Sequence, residues 1–125
     1  IVPENVYYAE GENNWLNAQL GMTAWGTRPV AQEYLNVAYQ TGAAFNESNW
    51  SNAELDALIE AAGVTSDIEE RAALYDQISQ IFVEEGPIII PFFTPISAAY
   101  QNHVQGIDLH PFPGRTDLRV VSFGE

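Results

Sequence analysis

Residues 46–93 constrain the fold more than any other part of the chain, because they contain two helical patterns of apolar residues followed by an apolar run. The first pattern has the spacing i, i+3, i+4 and i+7 of one helix face, and its members are Leu55, Leu58, Ile59 and Ala62. The second pattern repeats this spacing with Leu74, Tyr75, Ile78, Ile81 and Phe82. The sequence therefore predicts two helices that each bury one face.

Both predicted helices carry signals for their ends. A serine followed three residues later by glutamate has the spacing of a capping box, and the two pairs are Ser51 with Glu54 and Ser66 with Glu69. Gly63 is predicted to end the first helix in a left-handed conformation. Gly86-Pro87 is predicted to end the second, because proline lacks the N–H that would continue the helix.

The remaining chain predicts a third helix and several strands. The helix is expected to begin at Val30 and to end at Gly42, with Ala31, Tyr34, Leu35 and Ala38 on its apolar face. Runs rich in apolar and β-branched residues predict strands at residues 6–9, 22–25, 88–90, 96–100 and 118–123. Residues 88–90 are three isoleucines, so this strand is expected to be covered on both faces.

Charge and composition exclude several classes of function. The chain has 17 acidic and 4 basic residues, a net charge of −13, and no cysteine. Such a charge argues against binding nucleic acid, which requires positive groups to displace counterions, and against an anionic membrane surface. The absence of cysteine excludes disulfides, thiol catalysis and zinc–thiolate sites. No run of residues is long and apolar enough to span a membrane.

No arrangement of residues in the sequence is typical of a catalytic or cofactor site. The spacing of His103, Asp108 and His110 fits no standard zinc pattern. Glu84 and Glu85 are helix neighbours that point about 100° apart and cannot act as a dyad. There is no nucleophile elbow and no glycine loop for phosphate. The sequence therefore predicts no metal, no cofactor and no enzymatic activity.

Several short motifs occur in an order that is typical of one family. They are Asn46, then Asn52 with Asp56 and Leu58, then Arg71 with Tyr75, then residues 85–91 (EGPIIIP), then Val104-Gln105-Gly106. In this order they resemble the C-terminal region of the extracellular solute-binding proteins of ABC importers, in the family that binds dipeptides, oligopeptides and nickel. The resemblance extends from about Trp25 to the end of the chain, and more loosely back to Tyr7.

The resemblance implies a fold and a cellular setting. It implies an α/β fold, part of a two-lobed periplasmic-binding-protein-like structure with a mixed sheet flanked by helices. Residues 1–95 would be the C-terminal portion of lobe II, and residues 96–125 a tail that returns to lobe I. Family members are several times longer, so the chain is expected to be an excised fragment. Its implied partners are a small solute or peptide, an ABC permease and the rest of the parent protein, at a bacterial periplasmic or extracellular, envelope-attached location.

The same resemblance implies a ligand-binding wall. Its candidate residues are Trp25, Gly26, Thr27, Arg28, Asn46 and Glu47. Peptide binders of the family carry an aspartate for the peptide's α-ammonium where this chain has Arg28. An arginine suits a carboxylate or phosphate instead, so Arg28 is expected to meet an anionic ligand group or an internal carboxylate.

Plainer interpretations stand beside these. Trp25 could belong to the core with Arg28 at the surface, Asn46 could bond loop backbone, and Trp50 is expected to pack at the start of the following helix. For the whole chain, the alternatives are an acidic, glycosidase-like hydrolase fragment and a purely structural or oligomerising domain. A free-standing fragment is expected to expose apolar surface and to self-associate.

Overall fold

The computed structural model describes residues 3–9, 15–112 and 114–124, which fall into two compact units. The first unit is drawn from residues 1–25 and 30–89, and the second from residues 26–29 and 90–125. The described residues contain both helices and strands, so they form a small mixed helix-and-strand structure.

The first unit is helical. It contains helix α1 (Glu4–Tyr7), a 3-10 turn (Trp15–Asn17), helix α2 (Ala31–Tyr34) continued by a π-helical turn (Leu35–Tyr39), helix α3 (Ala53–Val64) and helix α4 (Ile68–Glu85). The second unit contains strand β1 (Val104–Gln105), a 3-10 turn (Leu118–Val120) and strand β2 (Ser122–Phe123). Of these, α3 and α4 are the longest and form the main packing interface.

The predicted apolar faces of α3 and α4 form the core of the first unit. Leu55 and Ile59 are completely buried, and Ala62 and Ile78 are 2% and 3% exposed. Leu35 joins them from the π-helical turn after α2. The remaining apolar residues of the two predicted patterns pack against this cluster while partly buried; they are Leu58, Leu74, Tyr75, Ile81 and Phe82. Each fully buried aliphatic side chain contributes roughly 1.5–3 kcal/mol, so this interface holds the unit together.

Both long helices begin one residue later than the capping boxes predicted. The Asn52 side chain accepts hydrogen bonds from the N–H groups of Glu54 and Leu55, and the Asp67 side chain accepts one from Glu70. Both Ser-Asn and Ser-Asp offer two good capping residues in a row, and the structure uses the second of each pair. The prediction that Ser51 and Ser66 are the caps is wrong.

Of the two glycines predicted to end helices, Gly86 does so and Gly63 does not. Gly63 lies inside α3, which continues to Val64, so the prediction that it ends the helix is wrong. Gly86 follows the last residue of α4, as predicted. Pro87 explains the difference, because it forbids a further helical turn whereas a single glycine only weakens one.

Replacing Asn52 by alanine is expected to lower the free energy of unfolding by about 1 kcal/mol, because two N–H groups lose their acceptor. The side chain also donates to a Glu85 carboxylate oxygen at 3.0 Å, which links the start of α3 to the end of α4. Urea unfolding followed by circular dichroism measures the loss. Ser51→Ala is the matched control and is expected to change stability little; a larger effect at Ser51 would contradict the observed cap.

The helix predicted from Val30 is confirmed, with Leu35 and Ala38 buried on its inner face. It ends at Tyr39, before Gly42, which adopts a positive φ of 73° in the turn that follows. Its second half is π-helical, a form usually confined to single turns.

Most of the predicted strands are absent from the part of the chain that the structure describes. Residues 6 and 7 lie in α1, residues 22–25, 88–90 and 96–100 have no ladder partner, and residues 118–120 form a 3-10 turn before β2. Ile89 is 90% exposed, so the expected burial of residues 88–90 on both faces is wrong here. A strand requires a neighbour to satisfy its backbone groups, and the described residues supply none at these positions.

The sheet of the described residues is one antiparallel pair in the second unit. Val104 lies opposite Phe123, and Gln105 opposite Ser122. The predicted mixed sheet flanked by helices is therefore not formed within residues 3–9, 15–112 and 114–124. None of the helices in these ranges has the length and apolarity needed to cross a lipid bilayer.

Candidate functional site

The candidate site in the first unit is built where residues 43–50, which we call the α2–α3 loop, meet segment 22–25. The Trp25 ring is partly exposed and makes edge-on contacts with Tyr34 (ring centroids 5.7 Å apart) and with Phe45 (6.0 Å). Phe45 also contacts Trp15 at 5.6 Å. An aromatic side chain backed by other rings in this way presents one face on a rigid support.

Asn46 is buried and holds the loop together. Its amide nitrogen donates to the carbonyl oxygens of Gln40 at 3.2 Å and of Trp50 at 2.8 Å, while its side-chain oxygen accepts from the Ser48 hydroxyl at 3.0 Å. The residue is 5% exposed. The prediction that Asn46 bonds loop backbone matches this geometry, and its side chain stabilises the turn before α3.

Glu47 is joined to a residue far away in the sequence. One of its carboxylate oxygens accepts a hydrogen bond from the Thr23 hydroxyl at 2.5 Å, and the contact is partly buried. Hydrogen bonds between a hydroxyl and a carboxylate are short and strong because the acceptor is charged. The bond ties the segment that carries Trp25 to the α2–α3 loop.

The candidate residues are divided between the two units. Trp25, Asn46 and Glu47 lie in the first unit, and the structure brings them together around the α2–α3 loop. Gly26, Thr27 and Arg28 belong to the second unit and are exposed. A ligand role for any of the six stays a prediction.

An open depression of about 510 Å³ lies beside the α2–α3 loop. Its lining consists of Leu16, Asn17, Thr41, Gly42, Ala43, Ala44, Asn46, Asn49 and Trp50. Asn46 is the only predicted site residue in this lining. Trp50 packs against Phe82 of α4, with ring centroids 6.4 Å apart, and against the core cluster. Its predicted packing at the start of α3 stays a prediction.

Two residues of this region were not predicted from the sequence. Thr23 and Phe45 make the contacts that fix Glu47 and Trp25. Both contacts join residues that are far apart in the sequence, so no local pattern could have indicated them.

Among the residues that the structure describes, no group of three or more histidine, aspartate or glutamate side chains is arranged to hold a metal ion. Of the residues considered from the sequence, His103 makes a tilted ring contact with Phe123, with 5.9 Å between centroids. The Nδ1 atom of His110 accepts a hydrogen bond from the Phe112 N–H at 3.0 Å.

The tyrosine behind the site has a perturbed acidity. Burial raises the pKa of Tyr39 above its usual value of 10.0, and the nearby Glu47 carboxylate and Tyr34 raise it further. All three effects disfavour the charged phenolate. The ring itself packs edge-on against Phe82 at 5.0 Å.

The stability of the chain is therefore expected to fall as the pH rises above 10.0. A group whose pKa is raised by folding stabilises the folded state below its unfolded pKa, and this contribution is lost as the pH rises through the folded pKa. Denaturant unfolding at neutral and alkaline pH measures the effect. Tyr39→Phe is expected to flatten the pH dependence, and an unchanged slope would exclude Tyr39 as its source.

The sequence of this chain is similar to those of several known binding proteins. No family model matches the chain. A dipeptide-binding protein of Bacillus subtilis, DppE, is 35% identical over 82 residues, which cover 66% of this chain. A probable deoxycholate-binding periplasmic protein of Escherichia coli, YgiS, is 31% identical over 92 residues, or 73% of this chain. A di/tripeptide-binding protein of Pseudomonas aeruginosa is 33% identical over 66 residues.

The chain resembles the peptide-binding family of solute-binding proteins. This confirms the resemblance predicted from residues 46–106. The matched segments make up only 15% and 17% of the lengths of DppE and YgiS. The names of these solute-binding proteins also differ in ligand, since one refers to dipeptides and another to deoxycholate.

Proposed function

We propose that this chain is part of the substrate-binding component of an ABC importer, which captures peptides or related small solutes for uptake. The observation that carries the proposal is the 35% identity with a dipeptide-binding protein over 66% of the chain. In this role the chain binds and releases a solute without converting it. It is the C-terminal part of a longer protein, with residues 1–95 in lobe II and residues 96–125 returning to lobe I.

The proposed ligand wall consists of Trp25 with its neighbours Asn46 and Glu47 in the first unit. Gly26, Thr27 and Arg28 of the second unit are also proposed to contact ligand. Two-lobed binding proteins close around a solute by hinge motion, and most of their affinity comes from enclosure and a few placed polar groups. A supported aromatic ring beside such groups suits one wall of this kind. The opposite wall would come from the rest of the parent protein, so the 125-residue chain alone would bind solute weakly.

Arg28 is proposed to select ligands with an anionic group. A guanidinium can meet a carboxylate with two parallel hydrogen bonds but repels an ammonium group. Dipeptides have a C-terminal carboxylate, and deoxycholate also has a carboxylate. Arg28 therefore provides a common contact for the two ligand classes named among the relatives.

The proposed partners are the solute, a membrane permease and the remainder of the parent protein. Residues 88–93 support the last of these, because they are apolar and exposed and have no ladder partner among the described residues. A neighbouring strand of the parent would satisfy their backbone groups. The proposed location is the bacterial periplasm or the outer face of the cell envelope.

The test measures solute binding to the protein expressed from its whole reading frame, by isothermal titration calorimetry. The probes are the dipeptide Ala-Phe, the same dipeptide with an amidated C-terminus, and deoxycholate. Binding of a carboxylate probe is expected, with the amidated dipeptide and the variant Arg28→Gln each weakening it about tenfold. Turnover of sugar substrates without binding of any probe would replace the proposal with the hydrolase interpretation.

The 125-residue chain is expected to self-associate through residues 88–93. Ile89 and Phe93 are 90% and 87% exposed. A segment with exposed apolar side chains and unpaired backbone N–H and C=O groups is a template for pairing with another copy. Sedimentation velocity at increasing concentration measures the association. Replacing Ile89 and Phe93 together by lysine is expected to restore the monomer, whereas a strict monomer in the unmodified chain would contradict the prediction.

A further inference from the structure

Segment 22–25 and the α2–α3 loop are joined by two side-chain contacts. Thr23 contacts Glu47, and two residues further along, Trp25 contacts Phe45, two residues earlier in the loop. The two contacts join residues that are two apart in segment 22–25 to residues that are two apart in the loop. Between these two segments, the Thr23–Glu47 contact is the one direct hydrogen bond between side chains that the structure describes.

The two sides of segment 22–25 differ in exposure. Met22 is 82% exposed and Ala24 is exposed, whereas Thr23 and Trp25 are partly buried against the loop. Since Thr23 and Trp25 both contact the loop while Met22 and Ala24 are exposed, the Thr23 hydroxyl and the Trp25 ring are presented to the loop together. The position of one therefore constrains the position of the other.

The loop that receives these side chains is itself held in place. Asn46, between Phe45 and Glu47, is buried and bonded to Gln40 and Trp50. Asn49 has a positive φ of 53° and donates its side-chain N–H to the Leu16 carbonyl at 3.0 Å. Glu47 is thus presented from a fixed backbone, and Thr23 is the side chain that docks on it.

We infer that Thr23 is a positioning residue, whose hydrogen bond to Glu47 fixes the Trp25 ring against Phe45 in the proposed ligand wall. The inference deepens the proposed function and rests on it for the role of Trp25. It also gives the Glu47 carboxylate a defined task, which is to hold the wall. Thr23 is not among the residues that the sequence indicated for this site.

The test uses the chain labelled with fluorotryptophan and observed by fluorine NMR. The chain has three tryptophans, so three resonances are expected, and Trp25→Phe assigns the one of interest. Thr23→Val keeps the side-chain shape but removes the hydroxyl, and it is expected to shift or broaden the Trp25 resonance. Thr23→Ser restores a hydroxyl and is expected to return the resonance toward its original position.

The partner side is tested in the same way. Glu47→Ala is expected to reproduce the effect of Thr23→Val, Glu47→Gln to retain part of the bond, and the double variant Thr23→Val with Glu47→Ala to add nothing further. The Trp50 resonance reports folding, because Trp50 packs against the core. A Trp25 resonance that is unchanged in Thr23→Val, or a Trp50 resonance that collapses in both Thr23→Val and Glu47→Ala, would overturn the inference.

The role in binding is measured separately, in the protein from the whole reading frame. Thr23→Val is expected to weaken the affinity for Ala-Phe about tenfold, and Thr23→Ser to retain most of it. The fluorine spectra need no ligand, so they remain informative if Ala-Phe does not bind and the proposed function fails. If Ala-Phe binds equally well to the protein with valine or threonine at this position, the positioning role is excluded.

Discussion

Replacing Ile59 by alanine is expected to lower the free energy of unfolding by roughly 2–5 kcal/mol, the range for large-to-small changes in well-packed cores. Ile59 is completely buried between α3 and α4, where it joins Leu55 and Ile78. The loss has two parts, which are the burial free energy of the deleted methyl and methylene groups and the cost of the cavity that remains. Since a domain of this size is stable by only about 5–15 kcal/mol, the variant is expected to be close to unfolding.

Ile68→Ala is the matched control, because it deletes the same atoms from an isoleucine that is 74% exposed. Substitutions at such positions usually change stability by no more than about 0.5 kcal/mol. Urea unfolding followed by circular dichroism at the helix signal measures both variants. Equal losses at the two positions would contradict the placement of the core between α3 and α4.

Replacing Asn46 by alanine is expected to have the second largest effect, a loss of roughly 2–3 kcal/mol. The substitution removes the donor to two carbonyl oxygens and the acceptor for the Ser48 hydroxyl. A buried polar group that loses its partner costs about 1–3 kcal/mol. Part of this cost is offset because the opened loop admits water.

The outcome at Asn46 has a second readout, since the α2–α3 loop also carries Phe45 and Glu47. We expect Asn46→Ala to change near-ultraviolet circular dichroism, which reports the packing of tryptophan and tyrosine rings. Asn102→Ala, in an exposed turn, is the control and is expected to change neither stability nor the aromatic signal. A stable Asn46→Ala variant with an unchanged aromatic spectrum would show that the loop does not depend on this amide.

The helices could be predicted from the sequence because their signals are local. The apolar spacing of Leu55, Leu58, Ile59 and Ala62 depends only on residues within one helix, and the structure confirms it. The ends were harder to place, because Ser51 precedes Asn52 and both residues are good caps. Contacts with distant residues accompany the choice, since Asn52 donates to Glu85, 33 residues away, while the Ser51 hydroxyl is bonded to that of Thr41.

The strands could not be predicted in the same way. Residues 88–90 have the composition of a buried strand, but a strand exists only where a second strand accepts its hydrogen bonds. That partner is not among the described residues, and the isoleucines are exposed. Only the run that begins at Leu118 contains an observed strand, because β1 lies beside its last residues.

The candidate site shows the same division between local and distant information. The bonds from Asn46 to Gln40 and Trp50 span six and four residues, and the sequence interpretation included such loop bonding. The contact of Thr23 with Glu47 spans 24 residues and has no local signature. Glu47 was therefore predicted as a ligand residue, whereas the structure also shows the intramolecular bond that occupies one of its oxygens.

The exposed apolar run at residues 88–93 belongs to a chain with a net charge of −13. Mutual repulsion between such copies extends over about 10 Å at an ionic strength of 0.1 M and over only about 3 Å at 1 M. Contact between copies is therefore expected to be weaker in dilute buffer and stronger in concentrated salt. A purification that ends in low-salt buffer is expected to weaken, but not to abolish, the self-association through residues 88–93.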